Sequence, residues 1–439
     1  KNLRDKEVFR MLGLSYAQLG NCGETIKALA ASISMGVNDK DVFQQLGTCQ
    51  YKNKEFSAAI ESLNKAINSG ATTKDVYLYK GNAEFAQKDF DNATKDLEKA
   101  LALGVNEADA FKNLGDLKFM KNDFPAAIKN YDNAISLGAN EAIIFNNRGK
   151  AKYSLHDFAG AVTDYDKAVQ LNPGYSKAIL NRGTTKFELK DYAGALNDLE
   201  KVKTAEGETA DMLKMLGISS YLLEKKDMAR TYLEKALQAG VKDGKISLYT
   251  GYLKYETNDY KGAVDALNAA ETSGEKEPEL YMKRGLASFA QKQYGPVISD
   301  LEKYIKSGKA DIAIHEALAI SYIATQKESE ALPHLEKAVA GGTKNQEVYY
   351  ALGNARFKEK NYKGAIDAYD KAITLGANNE VIFNNRGKAK LNAGMVKESI
   401  ADFDRAIGIK SDYTQALKNR AAASYQLKAY PEVIADLAI

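Results

Sequence analysis

Residues 346–379 read QEVYYALGNARFKEKNYKGAIDAYDKAITLGANN, and this 34-residue stretch decides the fold. In its first half Val348 and Leu352 stand at helical spacing, and in its second half Ile366 and Tyr369 do the same. Apolar residues spaced three or four apart predict amphipathic helices. The stretch therefore predicts two helices, which we call helix A and helix B, joined by a short polar turn.

Gly353 belongs to a series of glycines that recurs every 34 residues along the chain. The series comprises Gly13, Gly47, Gly81, Gly115, Gly149, Gly183, Gly217, Gly251, Gly285, Gly353 and Gly387, with Ala319 and Ala421 in the two remaining places. A fixed period between about 20 and 50 residues indicates stacked repeats. Residues 1–439 are therefore predicted to form a single array of repeats 1 to 13, with the glycine at position 8. The repeats start at residues 6, 40, 74, 108, 142, 176, 210, 244, 278, 312, 346, 380 and 414, and the last is truncated.

The composition excludes several classes of function. Lys and Arg number 61 against 58 Asp and Glu, so charge gives no reason to expect a nucleic acid or an anionic membrane as partner. No apolar run approaches the roughly 20 residues of a membrane span. Two cysteines, Cys22 and Cys49, exclude a disulfide scaffold but do not fix the compartment. We expect a soluble segment, cytoplasmic or periplasmic. Because the sequence starts at Lys1 and stops within a repeat, we expect it to be a piece of a longer protein. A signal peptide or lipid anchor outside the given sequence is therefore left open.

Other positions show how the helices pack and end. Position 20 is usually Ala, and positions 12 and 17 are usually aromatic. Glycine costs about 1 kcal/mol relative to Ala inside a helix, so the series at position 8 predicts a close contact between helices. Glycines at position 31 are expected to cap helix B, namely Gly36, Gly70, Gly104, Gly138, Gly240, Gly274, Gly308, Gly342 and Gly376. Aspartates at position 16 are expected to cap its start, namely Asp89, Asp123, Asp157, Asp191 and Asp259.

Gly at position 8, Ala at 20, an aromatic residue or Leu at 24 and Ala at 27 together resemble the tetratricopeptide repeat (TPR), and the match runs the length of the chain. The departures are an aromatic residue at position 12 instead of 11, a single Pro173 at position 32 and the absence of Trp. The resemblance implies an all-α fold, an α-α solenoid whose helix-turn-helix repeats form a right-handed superhelix with helix A lining a concave groove. It also implies a scaffold that binds peptides or proteins. The ungapped, Lys- and Asn-rich style is typical of bacterial proteins.

In TPR arrays the groove is lined by about positions 2, 5, 6, 9, 12 and 13. In repeats 7 to 10 these positions turn apolar, which predicts an exposed stripe that binds a protein partner. The predicted groove residues are Met215, Ile218, Leu222, Leu248, Tyr249, Tyr252, Met282, Leu286 and Ile320. The alternative, that these side chains pack on one another or on the next helix, stays open.

Polar residues give weaker groove candidates. Some TPR domains hold a peptide carboxylate in a clamp, and the matching residues here are Lys112, Asp116, Asn147, Lys177 and Asn181. Asp116 would repel a carboxylate and Asn181 lacks charge. The motif FNNRGKAK occurs at 145–152 and again seven repeats later at 383–390. Seven repeats are near one superhelical turn, so Asn147, Lys150, Asn385 and Lys388 could form two equivalent polar contacts stacked above each other.

No catalytic or metal-binding constellation is evident. His156, His315 and His334 lack a nearby Cys or a fixed pair of carboxylates, so we predict neither a metal nor a cofactor. The segment GVKDGKI at 240–246 resembles a phosphate-binding loop, but it lacks the Ser or Thr and follows a helix. No nucleophile is placed with a base. Repeat 10, with Ala319 in the glycine series and Pro333 inside helix B, predicts a local bend or looser packing.

The sequence therefore predicts a non-enzymatic scaffold that binds a protein or peptide partner in its groove and does not bind nucleic acid. The alternative is a regulatory or targeting region of a larger multidomain enzyme or signalling protein. A third possibility is a small-ligand or glycan binder that uses the groove at Tyr249 and Tyr252. The sequence does not determine the oligomeric state.

Overall fold

The computed structural model describes residues 5–438, and all regular structure in this part of the chain is helical. Each helix A begins at position 1 of its repeat. These helices are α1 (Lys6–Gln18), α3 (Lys40–Lys52), α5 (Lys74–Ala86), α7 (Ala108–Met120), α9 (Ala142–Ser154), α11 (Ser176–Glu188), α13 (Ala210–Leu222), α15 (Gly244–Glu256), α17 (Pro278–Ala290), α19 (Ile312–Ala324), α21 (Gln346–Lys358), α23 (Glu380–Asn392) and α25 (Thr414–Gln426).

Each helix B begins at position 17. These helices are α2 (Cys22–Ser34), α4 (Phe56–Asn68), α6 (Phe90–Ala102), α8 (Phe124–Ser136), α10 (Phe158–Leu171), α12 (Tyr192–Glu206), α14 (Lys226–Gln238), α16 (Tyr260–Thr272), α18 (Tyr294–Ile305), α20 (Glu328–Ala340), α22 (Tyr362–Thr374), α24 (Val396–Ile409) and α26 (Tyr430–Leu437). The predicted all-α repeat solenoid is confirmed.

The chain divides into two compact regions, an N-terminal region up to Lys225 and a C-terminal region from Lys226 onward. Within each region every helix packs against the next one along the chain, and neighbouring helices A also touch. The right-handed superhelix and the single array across both regions stay predictions. Among the described residues, no helix has both the length and the apolar character that crossing a membrane demands.

The glycines of position 8 lie directly against the residue at position 24 of the same repeat. A Cβ atom added to Gly353 would lie 2.5 Å from the Tyr369 ring, and one added to Gly115 would lie 2.8 Å from the Tyr131 ring. Real Cβ contacts are longer, so a larger residue requires the ring to move. The predicted close contact between helices A and B is therefore confirmed, and position 24 supplies its partner.

The predicted caps are also confirmed. All nine glycines of position 31 have positive φ angles, between 80° and 108°, which is the left-handed conformation that ends helix B. All five aspartates of position 16 accept a hydrogen bond from the backbone N–H three residues later, at the start of helix B. These side chains satisfy N–H groups that have no partner within the helix.

A buried ion pair recurs between helices A and B. Its arginine stands at position 7 and its aspartate at position 23, in the pairs Arg148–Asp164, Arg182–Asp198, Arg284–Asp300, Arg386–Asp402 and Arg420–Asp436. Both carboxylate oxygens accept from the guanidinium, which is the bidentate arrangement that suits Arg. In four of the five repeats the same Arg also reaches an Asp at position 25 of the preceding repeat. The pair thus links one repeat to the one before it.

These ion pairs account for much of the motif FNNRGKAK. Its Arg148 and Lys152 both contact Asp164, and Arg386 and Lys390 contact Asp402 in the same way. Arg148, Lys152, Arg386 and Lys390 therefore serve packing between helices.

Repeat 3 carries an altered version of this cluster. Lys80 replaces the Arg, Glu84 stands where repeats 5, 6 and 12 have Lys, and the Lys80 ammonium binds both Glu84 at 2.7 Å and Asp96. Burial and the nearby Asp96 both disfavour the charged form of Glu84, and together they outweigh the attraction of Lys80. The pKa of Glu84 is therefore raised to about 7. Glu84 therefore binds its proton more tightly in the folded than in the unfolded chain.

We expect the N-terminal region to lose stability as the pH rises. The contribution of Glu84 is fully present below its unfolded pKa near 4.5 and is lost as the pH rises through about 7. Glu84→Gln should remove this dependence and be more stable than the original chain at pH 8, by thermal denaturation followed by circular dichroism. Glu188→Gln, at an exposed site, is the control. A stability that rises equally with pH in the original chain and in Glu84→Gln would contradict the assignment.

Two features depart from the sequence-based picture. Cys22 and Cys49, which show no motif spacing, form a disulfide between α2 and α3, with Cα atoms 4.9 Å apart. In repeat 10, helix α20 runs unbroken through Pro333, so the proline does not end the helix. The local bend or looser packing expected for this repeat stays a prediction. A cavity lies beside α20, and Glu328, Ala331 and Leu335 of this helix line it.

Candidate functional site

The cavity has a volume of about 810 Å³ and lies in repeats 10 to 12, between helices α19, α21 and α23. It is a size typical of ligand pockets. The helix A residues that line it stand mainly at the positions that the TPR resemblance assigns to the groove. They are Ile320, Ile323, Ala324, Glu347, Tyr350, Ala351, Asn354, Ala355, Phe357, Lys358, Asn385 and Lys388. Helix B residues, among them Glu328 and Leu335, complete the lining.

One wall of the cavity carries a hydrogen-bonded polar network. The Tyr369 hydroxyl donates to Asn354 Oδ1 at 2.7 Å, and Asn385 Nδ2 donates to the same oxygen at 3.1 Å and to the Tyr350 hydroxyl at 3.2 Å. The Lys388 ammonium lies 5.3 Å from the centroid of the Phe357 ring, within cation–π range. These contacts hold the amides and the ammonium in fixed places at the edge of an apolar space.

The lining of the cavity also contains an ion pair. The Lys358 ammonium lies 2.9 Å from Glu328 Oε1, and its hydrogen bond holds the pKa of Glu328 below the usual range. Both side chains are largely exposed, so the pair contributes little to stability. The lining of the cavity thus combines the apolar side chains of Ile320, Ile323 and Phe357 with hydrogen-bonded and charged groups.

Repeats 4 and 5 contain a second copy of the polar network. The Tyr131 hydroxyl and Asn147 Nδ2 both donate to Asp116 Oδ1, at 2.6 and 3.0 Å, and the Lys150 ammonium lies 5.1 Å from the Phe119 ring centroid. The chemical difference is a carboxylate, Asp116, where repeat 11 has the amide of Asn354. The stacking of the two copies on each other stays a prediction, since the copies belong to different compact regions.

The residues of the predicted carboxylate clamp are engaged to different degrees. Asp116 and Asn147 bind each other as described, and Asn181 donates to Asn146 at 2.9 Å. Lys112 is half-buried and its ammonium lies 3.4 Å from an amide oxygen of Asn113. Lys177 is exposed.

The predicted apolar stripe of repeats 7 to 10 divides by burial. Met215, Ile218, Leu248 and Tyr252 are buried, as the alternative of structural packing expects. Tyr249, Met282, Leu286 and Ile320 are half-buried, and Leu222 is exposed. Ile320 also lines the cavity, which makes it the member of the stripe that belongs to a defined concave site.

The histidines of repeat 10 pack against each other. His315 Nδ1 and His334 Nδ1 lie 3.0 Å apart, and burial lowers the pKa of both side chains. His334 Nε2 lies 3.4 Å from Glu302. Within residues 5–438 no three His, Cys, Asp or Glu side chains come together as a metal site would need.

Comparison with known proteins identifies the repeat. The tetratricopeptide repeat family model matches residues 78–142 and 146–210, and a TPR repeat model matches 353–394. No curated protein matches the chain.

Solved structures with similar folds are TPR proteins. YrrB, described as a TPR protein with an unusual peptide-binding site, is 20% identical over 43% of this chain and 97% of its own, with a TM-score of 0.39. A tetratricopeptide repeat protein from Parabacteroides merdae is 19% identical over 57% of this chain and 99% of its own, with a TM-score of 0.35. PilF from Pseudomonas aeruginosa is 19% identical over 48% of this chain and 95% of its own, with a TM-score of 0.36.

The predicted bacterial origin is not borne out by these matches. The family models match separate parts of both compact regions, and the glycine, alanine and aromatic positions continue the same 34-residue pattern between and beyond the matched segments. The chain therefore contains tetratricopeptide repeats, which the family models match over residues 78–142, 146–210 and 353–394.

Proposed function

We propose that this chain is a scaffold that binds an extended segment of a partner protein in the cavity of repeats 10 to 12. TPR arrays in general serve as protein–protein interaction scaffolds without catalytic activity of their own. The observation that carries the proposal is the cavity of about 810 Å³, which is lined mainly by helix A residues and combines apolar side chains with hydrogen-bonded polar groups. Interface cores combine these two features, since apolar burial gives affinity and polar groups fix register.

The lining suits a peptide backbone as well as side chains. Asn354 and Asn385 present amide groups, which can donate to carbonyls and accept from N–H groups of an extended segment. The charges of the lining are balanced, because it contains two lysines, Lys358 and Lys388, and two glutamates, Glu328 and Glu347. The stripe of repeats 7 to 10 and the role as part of a larger multidomain protein stay predictions.

A matched pair of tryptophan substitutions tests this function. Ala324 and Ala86 are both exposed residues at position 13 that end a helix A, but only Ala324 lines the cavity. Random peptides displayed on phage are selected on the intact chain, and their dissociation constants are measured by fluorescence anisotropy. We expect Ala324→Trp to weaken binding at least about tenfold, because the indole fills the cavity, and Ala86→Trp to leave binding unchanged. Equal binding to both variants, or a failure to select any peptide, would contradict the proposal.

A further inference from the structure

Nine repeats share an aromatic pair that repeat 10 lacks. The pair joins position 12 of helix A to position 17 of helix B, with ring centroids 5.2 to 6.3 Å apart. Its members are Tyr51–Phe56, Phe85–Phe90, Phe119–Phe124, Tyr153–Phe158, Phe187–Tyr192, Tyr255–Tyr260, Phe289–Tyr294, Phe357–Tyr362 and Tyr425–Tyr430. Repeat 10 has Ile323 and Glu328 in these places, and both line the cavity.

The ring at position 17 reaches position 10 of the next repeat. In repeats 4 and 5, Phe119 and Phe124 pack against the cluster that contains Ala151. In repeats 1 and 2 the disulfide joins these same two positions, as Cys22 and Cys49. A residue at position 10 is therefore covered when the preceding repeat carries its ring.

Ala355 is a position 10 alanine that is not covered by a ring of the preceding repeat and is not fully buried. Ala83, Ala151, Ala287 and Ala389 stand at position 10 after a repeat with a ring, and all four have 0% exposure. For Ala355 the preceding repeat carries Glu328 at position 17 instead of a ring. Ala355 is partly exposed and lines the cavity. The cavity thus includes the place that a ring at position 328 would occupy.

We propose that the partner segment inserts an aromatic side chain into this place. The ligand would then supply the ring that the other nine repeats carry at position 17. The inference rests on the proposed function and names the side chain that the cavity selects. Phe357, Tyr350 and Tyr369 line the same space and supply aromatic walls. Aromatic rings favour tilted or edge contacts with centroids about 4.5–7 Å apart, the geometry that the nine pairs of this chain already show.

An aliphatic side chain is the competing occupant. Ala423 stands at position 10 of repeat 13 and is fully buried, although position 17 of repeat 12 is Val396. A leucine derivative is therefore the comparison probe. The probes are N-acetyl-L-tyrosinamide and N-acetyl-L-leucinamide at millimolar concentration, and binding is read from the relaxation-filtered proton NMR spectrum of each probe.

The substitution Glu328→Tyr fills this part of the cavity with an aromatic ring that belongs to the protein itself. Because nine repeats accept an aromatic residue at this position, we expect the variant to fold and to keep its melting temperature. Glu328→Gln removes the charge and the ion pair with Lys358 but leaves the space open. We expect the tyrosine derivative to bind the intact chain and Glu328→Gln alike, and to bind Glu328→Tyr about tenfold more weakly or not at all.

The two proposals fail in different ways. Equal binding of the leucine and tyrosine derivatives, or unchanged binding of the tyrosine derivative to Glu328→Tyr, would overturn the aromatic inference. The proposed function would survive that result if peptides selected on the chain still lose affinity for Ala324→Trp. Loss of tyrosinamide binding in Glu328→Tyr together with retention in Glu328→Gln supports the inference.

Discussion

Replacing Arg284 with alanine is expected to lower the free energy of unfolding of the C-terminal region by about 3–5 kcal/mol. Arg284 is 6% exposed and Asp300 is 4% exposed, and two hydrogen bonds of 2.7 Å join the guanidinium to the carboxylate. Arg284 also binds Asn268 and Glu271 of the preceding repeat. The substitution leaves the Asp300 carboxylate buried without its main partner. A buried charge without a partner costs far more than a lost surface pair.

Two further variants separate this cause from loss of packing. Arg284→Met combined with Asp300→Leu removes both charges, and we expect it to recover most of the lost stability. Arg356→Ala is the control, since Arg356 is half-buried and its nearest carboxylate, on Glu336, lies 4.0 Å away. We expect it to cost less than about 1 kcal/mol. Stability is measured by urea denaturation, and hydrogen exchange localises the effect to α17 and α18. An equal loss for Arg284→Ala and Arg356→Ala would refute the role of the buried pair.

Gly353→Ala is expected to destabilise the chain by about 1–3 kcal/mol, although alanine is the better helix former. The added Cβ atom would lie 2.5 Å from a carbon of the Tyr369 ring, so the ring or helix α22 has to move. Tyr369 is buried, and its hydroxyl is tied to Asn354, which limits that movement. The same shift would disturb the polar wall of the cavity.

Gly408→Ala is the matched control for this prediction. Gly408 lies inside helix α24, and a Cβ atom there would meet nothing within 4 Å. Alanine should therefore stabilise that helix by up to about 1 kcal/mol. The measurement is thermal denaturation of both variants beside the original chain. If Gly353→Ala raises the melting temperature as Gly408→Ala does, close packing is not the reason for the glycine series.

The repeat period predicted the helices well because it fixes every position at once. Caps at positions 16 and 31 depend only on local backbone geometry, which Asp and Gly reveal in the sequence. The contact at position 8 followed from the cost of glycine inside a helix. The partner of that contact, position 24, became visible only with the packed structure.

The ion pairs and the cavity were not predicted, for different reasons. Arg284 and Asp300 lie 16 residues apart on different helices, and charged residues in amphipathic helices usually belong to solvated faces. Their burial depends on how helices A and B face each other. The cavity arises from residues that repeat 10 lacks, at positions 12 and 17. The aromatic preference at positions 12 and 17 was visible in the sequence. Glu328, a charged residue at position 17, was the signal that could have located the cavity.

The apolar stripe shows the limit of reading a groove from position numbers. Leu248 stands at a groove position, yet it is fully buried, whereas Ile320 reaches the cavity. Whether a groove position is exposed depends on its neighbours in the next repeat. The disulfide also depends on contacts between consecutive repeats. Cys22 and Cys49 stand at positions 17 and 10, which meet where one repeat packs on the next.

Hydrogen exchange of the intact chain with a selected, bound peptide tests the central claim most directly. We expect the peptide to slow exchange in α19, α21 and α23, the helices that enclose the cavity, and the Ala324→Trp variant to show no such protection. Protection confined to α13, α15 and α17 would instead assign binding to the apolar stripe, and would contradict the placement of the partner site in repeats 10 to 12.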